Sequence, residues 1–325
     1  MKNFIEDKQI WLYAIIIPLA GLIGIYAPKN APILEALIPY ALGALMYAMF
    51  SQIPFFELKK ALSNKRYLIA LLISNFIMVP VIVWGLIQFL PNNIGILIGV
   101  LLVLLTPCID YVIVFTKIGK GNAELVLAST PLLFIVQMIL LPLYLALFAG
   151  NEFIEIISIA PFIEAFLTLI FFPLLLALYV QWSASKTDAG KQTLSLSGWL
   201  PVPLMALVLL LIISSQLPKM INELESVFIV IPIYIVFIGF TFIGAWMIGK
   251  LFKLEVPAKR ALIFSTSTRN SLVVLPFALA LPGELSTIAS AVIVTQTVVE
   301  LIGELIYIKA VPRIVKLPVQ QQNPT

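Results

Sequence analysis

Apolar residues fall into ten long runs along the chain, separated by short segments that carry Lys, Asn, Pro or Gly. A helix of about 20 apolar residues crosses the roughly 30 Å hydrocarbon core of a bilayer, at about 1.5 Å per residue. The pattern therefore predicts ten transmembrane helices, near residues 9–27, 33–53, 67–90, 94–116, 124–149, 157–182, 198–216, 227–252, 258–281 and 286–310.

The composition agrees with this pattern. Hydrophobic residues make up 61% of the chain, charged residues only 11%, and the mean hydropathy is +1.09. A soluble protein of 325 residues could not bury so much apolar surface. The chain has no His and one Cys, so the commonest general base and metal ligand are absent. We expect an all-α polytopic membrane protein that is not an enzyme and uses no cofactor or bound metal.

Basic residues divide unevenly between the two sides of this arrangement. With the N-terminus in the cytoplasm, 17 of the 20 Lys and Arg lie on the cytoplasmic side, Lys29 and Lys219 lie outside, and Arg269 lies within a span. An excess of basic residues marks cytoplasmic loops. We therefore expect a multi-pass protein of the cytoplasmic membrane with both termini inside. The net charge of +4 reflects this topology and does not indicate a nucleic-acid partner.

The fourth and ninth spans carry polar clusters that a continuous helix in lipid would not tolerate. Span 4 contains Thr106, Pro107, Cys108 and Asp110, and span 9 contains seven consecutive polar residues at 265–271, including Arg269. Proline removes a backbone donor, and non-helical backbone at this depth must face protein or a water-filled cavity. We expect both helices to be broken near the membrane midplane, where secondary transporters bind their substrates. The simpler alternatives are a proline kink in span 4 and a continuous buried helix in span 9.

The two clusters also align with each other. At an offset of 160 residues Thr106 matches Thr266, Cys108 matches Thr268, and Asp110 matches Asn270. Five spans are an odd number, so two such repeats would have opposite orientations in the membrane. The sequence predicts a first five-helix repeat at 1–150, and a second, inverted repeat with a cytoplasmic tail at 151–325.

Span 10 supplies two further carboxylates, Glu300 and Glu304, which are four residues apart and share one helix face. We expect them to meet Asp110 and Arg269 at the crossing of spans 4 and 9. Two hypotheses stay open: a proton or substrate relay, and a structural ion pair such as Arg269–Glu300 that only locks helices together. Residues on spans 5 and 10 are candidates to line the same cavity: Ser129, Thr130, Gln137, Thr295, Gln296 and Thr297.

At these residues the chain resembles the bile acid:sodium symporter superfamily. Cys108-Ile109-Asp110-Tyr111-Val112-Ile113-Val114 is similar to the cysteine motif of its arsenite efflux permeases, and Glu300 is similar to their essential glutamate in the last span. The resemblance implies ten spans in two inverted repeats, a thiol at Cys108 that handles a trivalent metalloid, and coupling through Glu300.

The chain departs from this superfamily in span 9. The sodium symporters carry Glu-x-x-x-Gln-Asn there, whereas this chain has Ser265 and Arg269 at the first two positions and keeps only Asn270. A guanidinium fixed at this place would take the electrostatic role of the cation. We therefore expect proton coupling or uniport and no dependence on sodium.

The leading hypothesis is efflux of arsenite or antimonite, coupled to protons. The predicted substrate-binding residues are Thr106, Pro107, Cys108, Asp110, Thr268, Arg269 and Asn270, and the predicted coupling residues are Asp110, Glu300 and Glu304. Two alternatives remain. One is a sodium- or proton-coupled transporter of an organic anion bound by Arg269, and the other is a membrane sensor that binds a ligand without transporting it. The expected partners are a small molecule, protons and the lipid bilayer.

The topology gives the first testable prediction. Reporter fusions along the chain should alternate between the two sides of the membrane, because each loop's charge fixes its side. Activity of compartment-specific reporters measures this. Fusions at Lys29, Pro91 and Glu152 should read outside, and those at Lys60, Thr187 and Lys316 should read inside. A reversed pair of neighbouring loops would contradict the ten-span topology.

Overall fold

The computed structural model describes residues 2–53, 55, 64–109, 111–156, 163–164, 166–220 and 224–316. Helices account for most of these residues, and no β-strand occurs among them. Their one extended pairing outside helices is an antiparallel bridge between Pro107 and Arg269. The all-α fold predicted from the sequence is confirmed.

Helices are numbered in chain order. The first half of the chain contains α1 (Lys2–Tyr26), α2 (Ala31–Phe50), α3 (Lys65–Ile73, continued by Ser74–Met78 and Val79–Ile87), α4 (Ile94–Leu104), α5 (Val112–Ile118) and α6 (Ala123–Ile156). The second half contains α7 (Leu167–Phe171, continued by Phe172–Ala184), α8 (Asp188–Ser197), α9 (Pro201–Met220), α10 (Leu224–Leu251), α11 (Val256–Ser267), α12 (Ser271–Leu279) and α13 (Glu284–Ile314).

Each predicted apolar run corresponds to one of these helices or to a pair of half-helices. Seven helices in the described part are long and apolar enough to cross a membrane, and shorter apolar helices cover Ile15–Tyr26 and Ile94–Leu104. Runs 4 and 9 are interrupted as predicted, the first between α4 and α5 and the second between α11 and α12. The chain is thus a multi-pass membrane protein.

Helix α8 lies in the polar segment between predicted spans 6 and 7, where the sequence predicts no membrane-spanning helix. It begins after Thr187, whose hydroxyl accepts a hydrogen bond from the Gly190 N–H at 3.0 Å. This is an N-cap, and it satisfies a donor that the first helical turn leaves without a partner.

Helix α3 contains one π-helical turn, Ser74–Met78, that adjusts its register. Pro80 has no N–H to donate to the carbonyl of Phe76, four residues earlier. The Tyr144 hydroxyl of α6 donates to that carbonyl at 2.6 Å instead. The same turn holds Asn75, which is fully buried. A π-turn inside a helix often accompanies a functional site.

The chain forms two compact units, and each draws on both halves of the sequence. The first comprises Met1–Ile53, Ile154–Val227 and Leu272–Val294. Within it α9 packs against α1 and α2, and α7 packs against α2 and α8. The second comprises Pro54–Phe153, Phe228–Ser271 and Thr295–Thr325, and within it α11 packs against α3 and α5. The division into repeats at residue 150 stays a prediction.

Candidate functional site

The two helix interruptions, both in the second unit, bind each other through their backbones. The Cys108 N–H donates to the Thr268 carbonyl at 3.1 Å, and the Asn270 N–H donates to the Thr106 carbonyl at 2.9 Å. In lipid such backbone groups find no water, so they need partners within the protein. Each interruption therefore supplies hydrogen-bond partners to the other.

The residue types at the breaks explain why both helices end here. Pro107 cannot donate, and the hydroxyls of Thr106 and Thr268 donate to the carbonyls of Leu102 and Phe264, four residues back, at 2.8 and 2.7 Å. The Phe264 carbonyl also accepts the Thr268 backbone N–H at 3.0 Å. Both hydroxyls therefore bind carbonyls near the C-terminal ends of their own helices, α4 and α11.

Glu300 of α13 accepts three hydrogen bonds at this crossing. The donors are the Tyr111 hydroxyl at 2.6 Å, the backbone N–H of Arg269 at 2.7 Å and the Gln296 side-chain amide at 2.5 Å. The Glu300 side chain is buried. Three donors directed at one carboxylate satisfy the hydrogen-bonding capacity of this buried side chain.

Glu304, one turn further along α13, has a sparser environment. Its Oε1 lies 2.9 Å from the Thr268 hydroxyl oxygen, while its Oε2 has no hydrogen-bond partner in the described part of the chain. It is as buried as Glu300. The two predicted coupling acids thus lie on one face of α13 and both touch the break in span 9, but only Glu300 is fully hydrogen-bonded.

The Arg269 guanidinium is fully buried and binds neutral oxygen atoms. It donates to the carbonyl of Leu104 at 3.3 Å, to Oδ1 of Asn75 at 2.8 Å and to the carbonyl of Thr266. Its Cζ lies 5.5 Å from the centre of the Phe237 ring, within the range of a cation–π interaction. Asn75, Phe237 and the two helix ends therefore enclose the charge.

Arg269 and Glu300 are in contact, but not through the predicted ion pair of their side chains. Glu300 contacts the backbone N–H of Arg269, and among the described residues no carboxylate lies within 4.0 Å of its guanidinium. Asp110 is outside the described residues, so its predicted place at the crossing stays a prediction. Cys108 is buried at the break, as its position in the sequence requires.

The predicted site residues are thereby located, with the exception of Asp110. The structure brings Thr106, Pro107, Cys108, Thr268, Arg269 and Asn270 to one crossing, with Glu300 and Glu304 beside it. Sequence reasoning missed Asn75, Tyr111 and Phe237. An amide near the middle of the mostly apolar third span was the available signal for Asn75. Their roles as binding or coupling residues are proposals.

The other candidate lining residues divide into two groups. Ser129 and Thr130 donate to carbonyls of their own helix, which is the behaviour of helix-packing residues. Gln296 binds Glu300, and Thr297 forms a hydrogen bond of 2.8 Å with the Ser271 hydroxyl. The side chain of Gln137 is buried, and neither of its polar atoms has a partner in the described ranges.

A series of hydrogen bonds between side chains connects the end of α11 to α10 and α13. The Ser267 hydroxyl is 3.1 Å from the Thr241 hydroxyl of α10 and donates to the Tyr307 hydroxyl of α13 at 3.3 Å. Tyr307 in turn donates to the Ile238 carbonyl at 2.6 Å. This chain of hydrogen bonds fixes the residue that precedes Thr268, and so it positions the break.

Comparison with known protein families identifies this architecture. The model of the Sodium Bile acid symporter family matches residues 39–243, which include Cys108 and Tyr111. The chain belongs to the sodium bile acid symporter family. The resemblance expected from spans 4 and 10 is confirmed at this level, and the chain is a member of a family of membrane transporters.

Two curated relatives come from Bacillus subtilis (strain 168). One is the uncharacterized sodium-dependent transporter YocS, which is 24% identical over 272 residues, covering 84% of this chain and 83% of YocS. The other is the uncharacterized protein YbaS, which is 24% identical over 238 residues, covering 73% of this chain and 76% of YbaS. Both similarities extend over most of the chain.

The unequal environments of the two acids give the second prediction. Glu300→Gln should lower thermal stability, because the new amide directs an NH₂ group at donors that now bind a carboxylate. A buried donor left without an acceptor costs about 1–3 kcal/mol. Glu304→Gln is the matched control, since it loses at most one accepted bond. Thermal unfolding of the purified variants in detergent measures both. Equal losses, or a larger loss for Glu304→Gln, would contradict the geometry.

Proposed function

We propose that the protein is a secondary transporter that exports a trivalent metalloid, arsenite or antimonite, across the cytoplasmic membrane in exchange for protons. Cys108 binds the metalloid and Glu300 carries the proton. The observation behind this proposal is one peptide group, Thr268–Arg269. Its carbonyl accepts from the Cys108 N–H and its N–H donates to Glu300. The thiol-bearing break and the carboxylate therefore share one rigid unit.

This shared peptide gives a physical route for coupling. Ionised Glu300 accepts from Arg269, Tyr111 and Gln296 at short distances. A proton on Glu300 removes acceptor capacity, so at least one of these bonds weakens. Since a peptide group is planar, a shift of the Arg269 N–H also moves the Thr268 carbonyl that holds Cys108. Proton transfer at Glu300 thus shifts the backbone of Cys108, and with it the position of the thiol.

The cargo follows from the chemistry of the lone cysteine. Trivalent arsenic and antimony are thiophilic, and a thiolate is the soft ligand that such centres prefer. One thiol holds the metalloid reversibly, as transport requires, whereas several would trap it. The chain offers one thiol, and that thiol stands in the helix break of a transporter.

A second candidate function is sodium-coupled transport of an organic anion. The family description and the name of the relative YocS favour it. In this candidate Arg269 would bind the carboxylate of the cargo. The bonds that its guanidinium makes to Leu104, Asn75 and Thr266 speak against this role, because a bidentate carboxylate would have to displace them. A sensor that binds ligand without flux is separated from both candidates by any transport assay.

The third prediction concerns Cys108. Serine is nearly isosteric with cysteine, but its oxygen is a hard ligand, so Cys108→Ser should keep the fold and lose metalloid affinity. Cells that depend on this protein should lose arsenite resistance while its membrane abundance stays unchanged. Cys108→Ala is the control, and it should fail equally. Full resistance in well-expressed Cys108→Ser cells would contradict metalloid transport and favour the organic anion.

The fourth prediction concerns the coupling ion. Ser265 stands where sodium symporters carry a carboxylate, and the Arg269 guanidinium already supplies a positive charge. Flux should therefore be unchanged when choline replaces sodium at constant ionic strength. Transport in membrane vesicles measures this, with potassium as a second replacement. A flux that falls several-fold without sodium would show that the ion binds at other residues, and it would favour the second candidate.

A further inference from the structure

The oxygen atoms around the Arg269 side chain resemble the coordination shell of a small cation. The Leu104 carbonyl is at the last residue of α4, and the Thr266 carbonyl is one residue before the last of α11. The C-terminus of a helix carries a partial negative charge. Two helix ends therefore direct negative charge at the same point, and Asn75 adds a neutral amide oxygen at 2.8 Å.

These donors are of the kind that hard monovalent ions prefer. Sodium binds carbonyl and amide oxygens, and in transporters with broken helices it lies at unwound carbonyls and helix C-terminal ends. The break also carries two buried acids, because Glu300 binds the Arg269 N–H and Glu304 binds the Thr268 hydroxyl. Such surroundings stabilise a buried positive charge even without a direct salt bridge.

We propose that Arg269 is a tethered cation, and that its guanidinium fills a monovalent-cation site formed by Leu104, Thr266 and Asn75. Removal of the side chain opens this site to a free guanidinium ion or to sodium. The inference deepens the coupling part of the proposed function, because a permanently bound charge replaces an ion that would otherwise enter and leave. It does not depend on the cargo.

Another buried arginine of the same unit shows what a purely structural role looks like. Arg260 donates to the carbonyls of Val315, Lys120 and Pro312, so it ties the loop before α6 to the end of α13. All the hydrogen-bond acceptors of its guanidinium are backbone carbonyls. No bond connects it to Glu300 or Glu304, whereas the backbone of Arg269 binds Glu300 directly. Arg260→Ala is therefore a matched control for the loss of a buried arginine.

The test is thermal unfolding of purified Arg269→Ala in detergent, titrated with guanidinium chloride, sodium chloride or choline chloride at constant ionic strength. Millimolar guanidinium is far below denaturing concentrations. An ion that binds only the folded state raises Tm in a saturable way. Guanidinium and sodium should each raise the Tm of Arg269→Ala by several degrees relative to choline. They should leave the wild type and Arg260→Ala unchanged relative to choline.

Two further variants keep the test decisive. Arg269→Lys retains the charge and should show no saturable response, because its ammonium group occupies the site. Arg269→Met fills the space without a charge. It should be less stable than Arg269→Lys and should recover with neither ion, since the side chain blocks entry. Arg269→Met as stable as the wild type would overturn the proposal, because packing would then suffice.

If folded Arg269→Ala responds to sodium and guanidinium as it does to choline, the tethered-cation proposal also fails. This readout needs no cargo, so it is independent of the proposed function. Loss of metalloid transport in Cys108→Ser, with no ion response in Arg269→Ala, would contradict only the cation site. Full metalloid transport in Cys108→Ser, with a sodium and guanidinium response in Arg269→Ala, would contradict only the proposed cargo.

Discussion

The backbone of two broken helices has to be satisfied within the protein, and this constraint organises the second unit. At the point where α4 and α11 end, lipid offers no partners for the freed carbonyl and N–H groups. The interruptions meet this requirement together, through the bonds of Cys108 to Thr268 and of Asn270 to Thr106. Because neither break is stable without the other, the crossing fixes the position of every side chain attached to it.

The charges at the crossing follow from the same constraint. Two helix ends with partial negative charge converge there, and α13 adds two carboxylates. Among the described residues, Arg269 supplies the positive charge at this crossing. Its side chain binds the helix ends, and its backbone N–H binds Glu300. This arrangement separates two tasks. The guanidinium binds the two helix ends, while Glu300 binds the backbone of the same residue, and proton exchange at Glu300 is the coupling step that we propose.

Much of the fold was predictable from the sequence, because hydrophobic length and proline position act locally. Pro107 and the polar run at 265–271 indicated the two breaks, which the structure places between α4 and α5 and between α11 and α12. The four-residue spacing of Glu300 and Glu304 indicated a shared face. These inferences need only helix geometry and the cost of exposing polar groups to lipid.

The partners of Arg269 were not predictable in this way. A buried arginine indicates that a negative group is near, and a carboxylate was the natural expectation. The observed acceptors are backbone carbonyls, which every residue carries, so no residue type marks them. Asn75 reaches the guanidinium from the π-turn of α3, whose Phe76 carbonyl accepts a hydrogen bond from Tyr144 of α6. Such a contact depends on distant packing and leaves little trace in the local sequence.

The central claim is that a proton gradient acting on Glu300 drives the cargo held at Cys108. Uptake of radiolabelled arsenite into everted membrane vesicles with an imposed acidic lumen tests it most directly. Everted vesicles turn export into uptake, so the outward flow of protons should drive arsenite inward, and a protonophore should abolish the uptake. Accumulation that is the same with and without the proton gradient, or that follows a sodium gradient instead, would contradict the account.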